Sequence, residues 1–421
     1  MLLRIANSPR HYEWGSLTGA SQVLGTTPSG LPEAEVWFGT HHASPTQLVD
    51  RDGGHETLAQ FLAEEHVDTG FVAGRIPFLL KVLSAGQPLS LQVHPSPEQA
   101  RAGFARENAA GIPLDAPHRN YKDDQAKPEL IVAVSDEFVG LSGFRRVNES
   151  VDALRALLAR TPSAAEANRF ADELASRAES DAPASLRWAF EFLLGDHAEV
   201  ADIVATCTAA AREFLSGGSA TSRASSSALH DACQTMSDLA EFYPGDPGVV
   251  LGALLNRVVL ARGEALYLPA GNVHAYLRGT GIELMNASDN VLRGGLTSKH
   301  VDVTELLAVA DFSELAQPRL EVTEVVTGLS VFAPASSALR LFALNLTTAH
   351  VEATGVIQLE LDAPAIVLCT GGEVSVLAEG QELDLRHGDA VFVRSADGVV
   401  GLRGSGEAFL ATVSEDHLSR G

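Results

Sequence analysis

The chain has 421 residues, 45% hydrophobic and 20% charged, the balance of a globular protein with about two or three domains. Its 30 Lys and Arg against 54 Asp and Glu leave a net charge of −24, which excludes a surface built for non-specific binding to nucleic acid or an anionic membrane. Cys207, Cys233 and Cys369 are widely spaced with no CxxC pair, so neither a disulfide framework nor a thiolate zinc site is expected, and a reducing, cytoplasmic compartment fits.

The N-terminal MLLRIANSPRHYEWGS carries no apolar h-region, so no signal peptide is expected. No run of about 18 apolar residues marks a membrane span. Residues 1–147 read as β-rich, with short apolar segments at 35–39, 46–49, 78–82 and 89–94 beside turn-forming residues. Helical signals lie at 56–65 and 97–108, the second with Pro97 in its first turn and Ser96 as its N-cap. Residues 144–194 contain no glycine, and Val151, Leu154, Leu157 and Leu158 recur at helical spacing behind Ser150, a plausible N-cap. Further helices are predicted at 164–178, 185–194, 200–215 and 227–241, with a flexible GGSATSRASSS stretch at 217–227. The segment 148–247 is thus an α-helical insert. Strand texture resumes at 248–255, 263–268, 275–277 and 282–286, and a helix is predicted at 304–310. The last block carries strand-like runs at 341–346, 355–361, 365–368, 373–377, 390–394 and 408–412, spaced like a β-sandwich or barrel. It reads as a second, simpler copy of the first β architecture.

Three short patterns carry chemistry. In Gly263-Glu-Ala-Leu-Tyr-Leu-Pro269-Ala-Gly271-Asn-Val-His274, a strand runs into a Pro-x-Gly turn that re-aims the chain, and a His opens the next strand. This resembles the second motif of cupin barrels, in which the imidazole points into the barrel mouth. In Leu89-Ser-Leu-Gln92-Val-His94-Pro95, Gln92 and His94 are two apart and share a strand face. In Lys127-Pro-Glu129-Leu-Ile-Val-Ala133, a carboxylate heads an apolar strand, where a buried charge needs either Lys127 as an ion partner or a metal. Together Gln92, His94, Glu129 and His274 make a four-donor N and O set that suits Zn²⁺, or else Mn²⁺ or Fe²⁺. The neutral Gln keeps such a metal a stronger Lewis acid, suited to polarising a substrate oxygen. A fourth segment, 283–299, is polar, Gly-containing and dense with groups that bind sugars or phosphates.

With these pieces in order the chain resembles the type I mannose-6-phosphate isomerases (phosphomannose isomerases). The resemblance is carried by Tyr12-Glu-Trp14-Gly15, Glu35-Val-Trp37-Phe-Gly39-Thr, Lys81-Val-Leu-Ser84, Leu89 to Pro95, Asn120-Tyr121, Lys127-Pro-Glu129, Gly271-Asn-Val-His274-Ala-Tyr276 and Ser288-Asp-Asn-Val-Leu-Arg293-Gly-Gly-Leu-Thr297, in the family's order to about residue 305. It implies one zinc ion per chain, held through Gln92, His94, Glu129 and His274, and an active-site arginine at Arg293. It also implies a mainly β fold with an α-helical insert: two cupin (jelly-roll β-barrel) domains plus a helical domain. On this reading 1–147 and 248–315 form the catalytic cupin domain, 148–247 the insert and 316–421 the second cupin-like domain. Arg394 stands where the motif wants Pro and no His follows, so this last domain is expected to be metal-free. The family interconverts mannose 6-phosphate and fructose 6-phosphate. One departure is Ala126, where the family often carries His, so a mechanism using that His as base fails for this chain.

Such an aldose–ketose isomerisation runs through an enediolate and needs a proton carrier, a stabiliser for the developing oxyanion and a phosphate anchor. Zinc at the substrate's O1 or O2 region is the expected stabiliser, and Arg293 is expected to help hold or polarise the same oxygens. Glu283 and Lys127 are the candidate proton carriers, each equally readable as an ion-pair group. For the phosphate, the resemblance implies Ser90, Lys81 and Lys299 as the candidate contacts. Trp14 and Trp37 read as core or pocket-wall aromatics, and His41, His42 and His387 as ordinary histidines. The expected partner is a small phosphosugar, with no nucleic acid or membrane, and the chain is expected to be a monomer. Two rival readings are an iron-dependent cupin oxygenase, disfavoured by the Gln donor and the Arg293 loop, and a non-catalytic phosphosugar-binding bicupin, which leaves the metal set unexplained.

Overall fold

The strand His274–Asn286 is the spine of the molecule. Thirteen residues long and buried along most of its length, it pairs with Phe78–Ala85, Glu129–Ala133, Phe138–Phe144 and Gln92–Val93. In the computed structural model, which describes residues 1–49, 56–67, 74–161, 164–217, 227–316, 318–348, 355–394 and 398–414, these strands belong to a ten-stranded antiparallel sheet. The segments predicted at 275–277 and 282–286 are therefore one strand, continuous through a register shift between Tyr276 and Arg278. Such a bulge bends a strand without ending it.

A second, eight-stranded sheet gathers strands from the last part of the chain, and a third has four strands. The first strand, Leu2–Ala6, pairs with Ala390–Val393, so the two ends of the chain share the eight-stranded sheet. The predicted runs at 341–346, 365–368, 390–394 and 408–412 correspond to Leu339–Asn345, Ala365–Gly371, Ala390–Val393 and Glu407–Val413 of this sheet. Among the described residues, no helix is long and apolar enough to cross a membrane.

Between the β segments lie the helices Val147–Leu158, Ala165–Ala178, Ala182–Leu194, Val200–Ser216, Ser227–Phe242 and Gly248–Ala253. Most of the predicted flexible stretch at 217–227 falls outside the described residues. Two local expectations are corrected. The first helix begins at Val147, not at Ser150. Its first N–H is met by the Glu314 carboxylate at 2.8 Å, 167 residues away, so no local capping side chain is required, and Ser150 lies buried inside the helix. The run predicted as a strand at 248–255 is the helix Gly248–Ala253 followed by the strand Leu255–Leu260. It is apolar and buried on every side, and periodicity does not separate helix from strand in so short a run. The N-cap at Ser96 is as expected: its side chain accepts the Gln99 N–H in a capping box, with Pro97 in the first turn.

Alternation along the strands sorts core from site. Leu91, Val93, Val273, Ala275 and Leu292 are buried in the core shared with the helices. Their neighbours Gln92, His94, His274 and Arg293 must point the other way. Likewise Leu80, Val82, Leu130, Val132, Ile282 and Leu284 pack in the core shared with the eight-stranded sheet. That leaves Lys81, Glu129 and Glu283 on the opposite face, inside the ten-stranded sheet.

Candidate metal centre

The turn that positions His274 forms as its residues dictate. Asn272 N–H donates to the Pro269 carbonyl at 3.2 Å, and Gly271 takes φ +79°, the left-handed residue of a type II turn. Gly271 N–H donates to the His94 carbonyl at 2.9 Å, so one turn holds both histidine strands. Across the neighbouring strands Arg293, Gln92 and His274 are register partners in one row, and paired residues share a face.

The two imidazoles and Glu129 converge. His94 Nε2 is 3.3 Å from Glu129 Oε1, and His274 Nε2 is 3.5 Å from Glu129 Oε2. All three side chains are buried. Each histidine gives its other nitrogen to a backbone carbonyl: His94 Nδ1 to Asn290 at 2.7 Å and His274 Nδ1 to Asn272 at 3.0 Å. Those contacts place the proton on Nδ1 and leave a lone pair on each Nε2, the arrangement of metal-ligating histidines. His94 Nε2 is buried and has no hydrogen-bond partner among the described residues. Burial, then the charge of Lys127, push its imidazole down from 6.5 to about 4, so it is neutral at pH 7 and the contact with Glu129 is not an ion pair. Burial pushes the Glu129 carboxyl up, opposed first by the charge of Lys127, and the group stands well below its usual range. Lone pairs therefore face an ionised carboxylate across the gap, an arrangement that asks for a cation. Neighbouring donors around a tetrahedral ion with bonds of about 2.0–2.2 Å stand about 3.3–3.6 Å apart, and the observed spacings match.

Lys127 Nζ lies 2.9 Å from Glu129 Oε1, so the carboxylate has the expected ion partner and also faces the two imidazoles. Lys81 lies in a separate ion-paired cluster. Its ammonium is buried between Glu283 Oε2 at 3.0 Å and Glu35 Oε1 at 3.3 Å, and Trp37 Nε1–H donates to the other Glu35 oxygen at 3.0 Å. Burial would lower the Lys81 pKa, but Glu283 and Glu35 raise it above its ordinary value. Burial, with Glu129 and Glu35 nearby, pushes the Glu283 carboxyl up despite Lys81. Glu283 is two residues from Met285, which pairs with Glu129, so the triad sits one step below the metal donors. Tyr276 adds a buried hydroxyl at this level with no hydrogen-bond partner among the described residues.

Arg293 and Lys299 form the contrasting pair. Each has its pKa lowered by burial, with Arg293 adding to the effect on Lys299, and neither makes an ion pair among the described residues. In a chain of net charge −24, two cations with no carboxylate partner among the described residues stand out. Ser90 lies between two backbone ties, Leu89 N–H to Tyr276 and Leu91 N–H to Gly295, the second on the Arg293 loop.

The sequence assigned no site role to Glu35, Asp123, Asp289 or Asn290 individually, and His41 read as ordinary. His41 is buried, and its Nε2 stands 3.2 Å from Asp289 Oδ2. Here the Ala43 N–H donates to Nδ1 at 3.2 Å, so Nε2 carries the proton and donates to Asp289. That is a hydrogen-bonded pair rather than a lone pair awaiting a metal, although His42 stacks against it. A Glu inside the fully buried strand Glu35–Phe38 was the available signal for Glu35.

Comparison with known proteins follows the same lines. Residues 2–147 match the family "Phosphomannose isomerase type I, catalytic domain". The chain is 34% identical to the mannose-6-phosphate isomerase of Shigella flexneri over 413 residues, covering 96% of this chain and 97% of that one. It is 29% identical to that of Rattus norvegicus, covering 93% of each. Its fold is similar to the crystal structure of mannose 6-phosphate isomerase from Salmonella typhimurium bound to fructose 6-phosphate and zinc, with a TM-score of 0.82, 30% identity, and coverage of 98% and 99%.

Proposed function

The chain belongs to the type I mannose-6-phosphate isomerase family, and from that premise we propose that it interconverts mannose 6-phosphate and fructose 6-phosphate with one zinc ion held by Gln92, His94, Glu129 and His274. The observation that carries this reading is the pair of Nε2 lone pairs facing Glu129 at 3.3 and 3.5 Å. When bound, zinc supplies a Lewis acid that favours negative charge on the substrate's oxygens.

The chain's own residues supply the rest. Aldose–ketose isomerisation moves a proton between adjacent carbons through a cis-enediol(ate). Arg293, in the row of Gln92 and His274, presents a fixed cationic fork to the enediolate oxygens. Lys299, with Ser90, binds the phosphate; Lys81 is released from that role because Glu35 and Glu283 already engage its ammonium. Of the two proton-carrier candidates, Lys127 touches a metal-binding carboxylate, whereas Glu283 is engaged one step deeper by Lys81. Lys127 is therefore the group assigned to hold and move the proton, and Glu283 the group that fixes the floor of the site. The scaffold reads as a catalytic cupin barrel with the helices of 148–247 inserted, joined to a second cupin-like barrel that borrows the strand Leu2–Ala6.

The test is turnover of mannose 6-phosphate by purified protein, with and without a chelator, followed by zinc. Activity lost to the chelator and restored by zinc supports the reading. A folded, zinc-loaded sample without turnover overturns it.

A further inference from the structure

Both segments that frame the metal donors hang from one buried amide. Asn290 is fully buried and its side chain is saturated. Its Oδ1 accepts the N–H groups of Lys122 and Asp123 at 2.7 and 3.2 Å, and its Nδ2 donates to the carbonyls of Asp123 and Gln125 at 2.9 and 2.8 Å. Its own carbonyl accepts the His94 Nδ1 proton. Asp123 grips the same loop from the other side. Oδ2 accepts the Asp289 N–H at 2.9 Å, and Oδ1 accepts the Ser288 hydroxyl at 2.8 Å and the Gln125 N–H at 2.9 Å. The segment 122–125 then runs directly into Lys127 and Glu129. One staple thus joins the carbonyl that orients His94 to the chain that delivers Glu129.

We infer that Asp123 and Asn290 are positioning residues of the metal centre, which set the tautomer and aim of His94 relative to Glu129 and so the affinity for the metal. The inference rests on the zinc reading above. The strands of His94 and His274 keep their own ladders without the staple, because Gln92 pairs with both His274 and Arg293. What depends on the staple is the Asn290 carbonyl. If it drifts, Nδ1 loses its acceptor and the proton is free to move to Nε2, the atom the metal needs. Partners at this remove from a metal govern its affinity by about 10–100-fold. A buried, fully satisfied network of this kind rigidifies the segments that it joins.

The test compares wild type, Asp123→Asn and Ser288→Ala by competition for zinc against a chelating dye, together with imidazole ¹⁵N NMR and thermal unfolding of the metal-free proteins. Asp123→Asn is expected to weaken zinc binding by about 10–100-fold, with His94 losing its pure Nδ1–H signature and the metal-free unfolding midpoint little changed. Ser288→Ala, which removes the hydroxyl that donates to Asp123 and accepts the Asn290 N–H, is expected to move both readouts the same way; it decides the matter if Asp123→Asn does not fold. Wild-type zinc affinity in the folded variants overturns the inference. So does a loss of affinity that merely tracks a loss of metal-free stability while the His94 tautomer stays put. A wild-type chain that binds no zinc overturns the metal reading itself, a result distinct from these.

Discussion

His94 Nε2 stands 3.3 Å from Glu129 Oε1, a lone pair against a carboxylate inside the protein. Without a cation, burial and the nearby Lys127 outweigh this carboxylate and make the metal-free protein sensitive to acid. The folded His94 accepts a proton only near pH 4, because burial and then Lys127 oppose the charge, whereas the unfolded imidazole accepts one near 6.5. The unfolded state therefore binds the proton more readily across that interval. His94's contribution is fully present above about pH 6.5 and is lost as pH falls through about 4, a change of about 3 kcal/mol. Urea unfolding of chelator-treated protein at pH 7 and pH 4.5 measures it. Equal stability at the two values would sink this account of His94.

Zinc should stabilise the fold by mass action. At free zinc a hundred times its Kd the gain is about 2.7 kcal/mol, seen as a rise in thermal midpoint. Glu129→Gln removes the charge that both imidazoles face and is expected to abolish that rise together with turnover. A variant that keeps the zinc-dependent rise would show that Glu129 is not a ligand.

Much of this centre was legible because its signals are local. The Pro-x-Gly turn before His274, the two-residue spacing of Gln92 and His94, and the carboxylate heading the strand Glu129–Ala133 each declare themselves within a dozen residues. What was not legible is long-range pairing. Lys81 reads as a cation seeking an anion, and its partner Glu35 lies 46 residues away on a strand set beside it only by the sheet. The helix start at Val147 misled for the same reason, since its cap comes from Glu314. The Asp123 and Asn290 side chains, polar residues of two loops far apart in sequence, acquire a role only when the fold brings 122–125 against 288–290.

Lys81 and Lys299 should respond in opposite ways to substitution. Lys81→Met leaves Glu35 and Glu283 buried without their cation and is expected to cost about 3–5 kcal/mol of stability. Lys299→Ala is expected to raise KM for mannose 6-phosphate about tenfold while stability stays within about 0.5 kcal/mol. Urea unfolding and steady-state kinetics on both variants decide between them. A stable Lys81→Met with the larger rise in KM would return the phosphate to Lys81.

Gly271 offers a test of how the turn serves the two histidines, with Gly263 as its internal control. Both have positive φ, +79° and +86°, so alanine at either carries a left-handed cost of about 1–2 kcal/mol. They differ in what a methyl group would meet. At Gly263 there is nothing within 4 Å, whereas at Gly271 the Asp311 Cβ and N lie 3.1 and 3.2 Å away. Relief of that contact has to move the turn, and the turn's N–H holds the His94 carbonyl while its next residues lead into His274. Gly263→Ala is therefore expected to lower stability alone. Gly271→Ala should lower stability further and also weaken zinc binding, because two donors shift relative to Glu129. Dye competition and urea unfolding on the two variants separate backbone strain from displaced ligands. Equal zinc affinity in both would mean that the turn's position does not govern the metal centre.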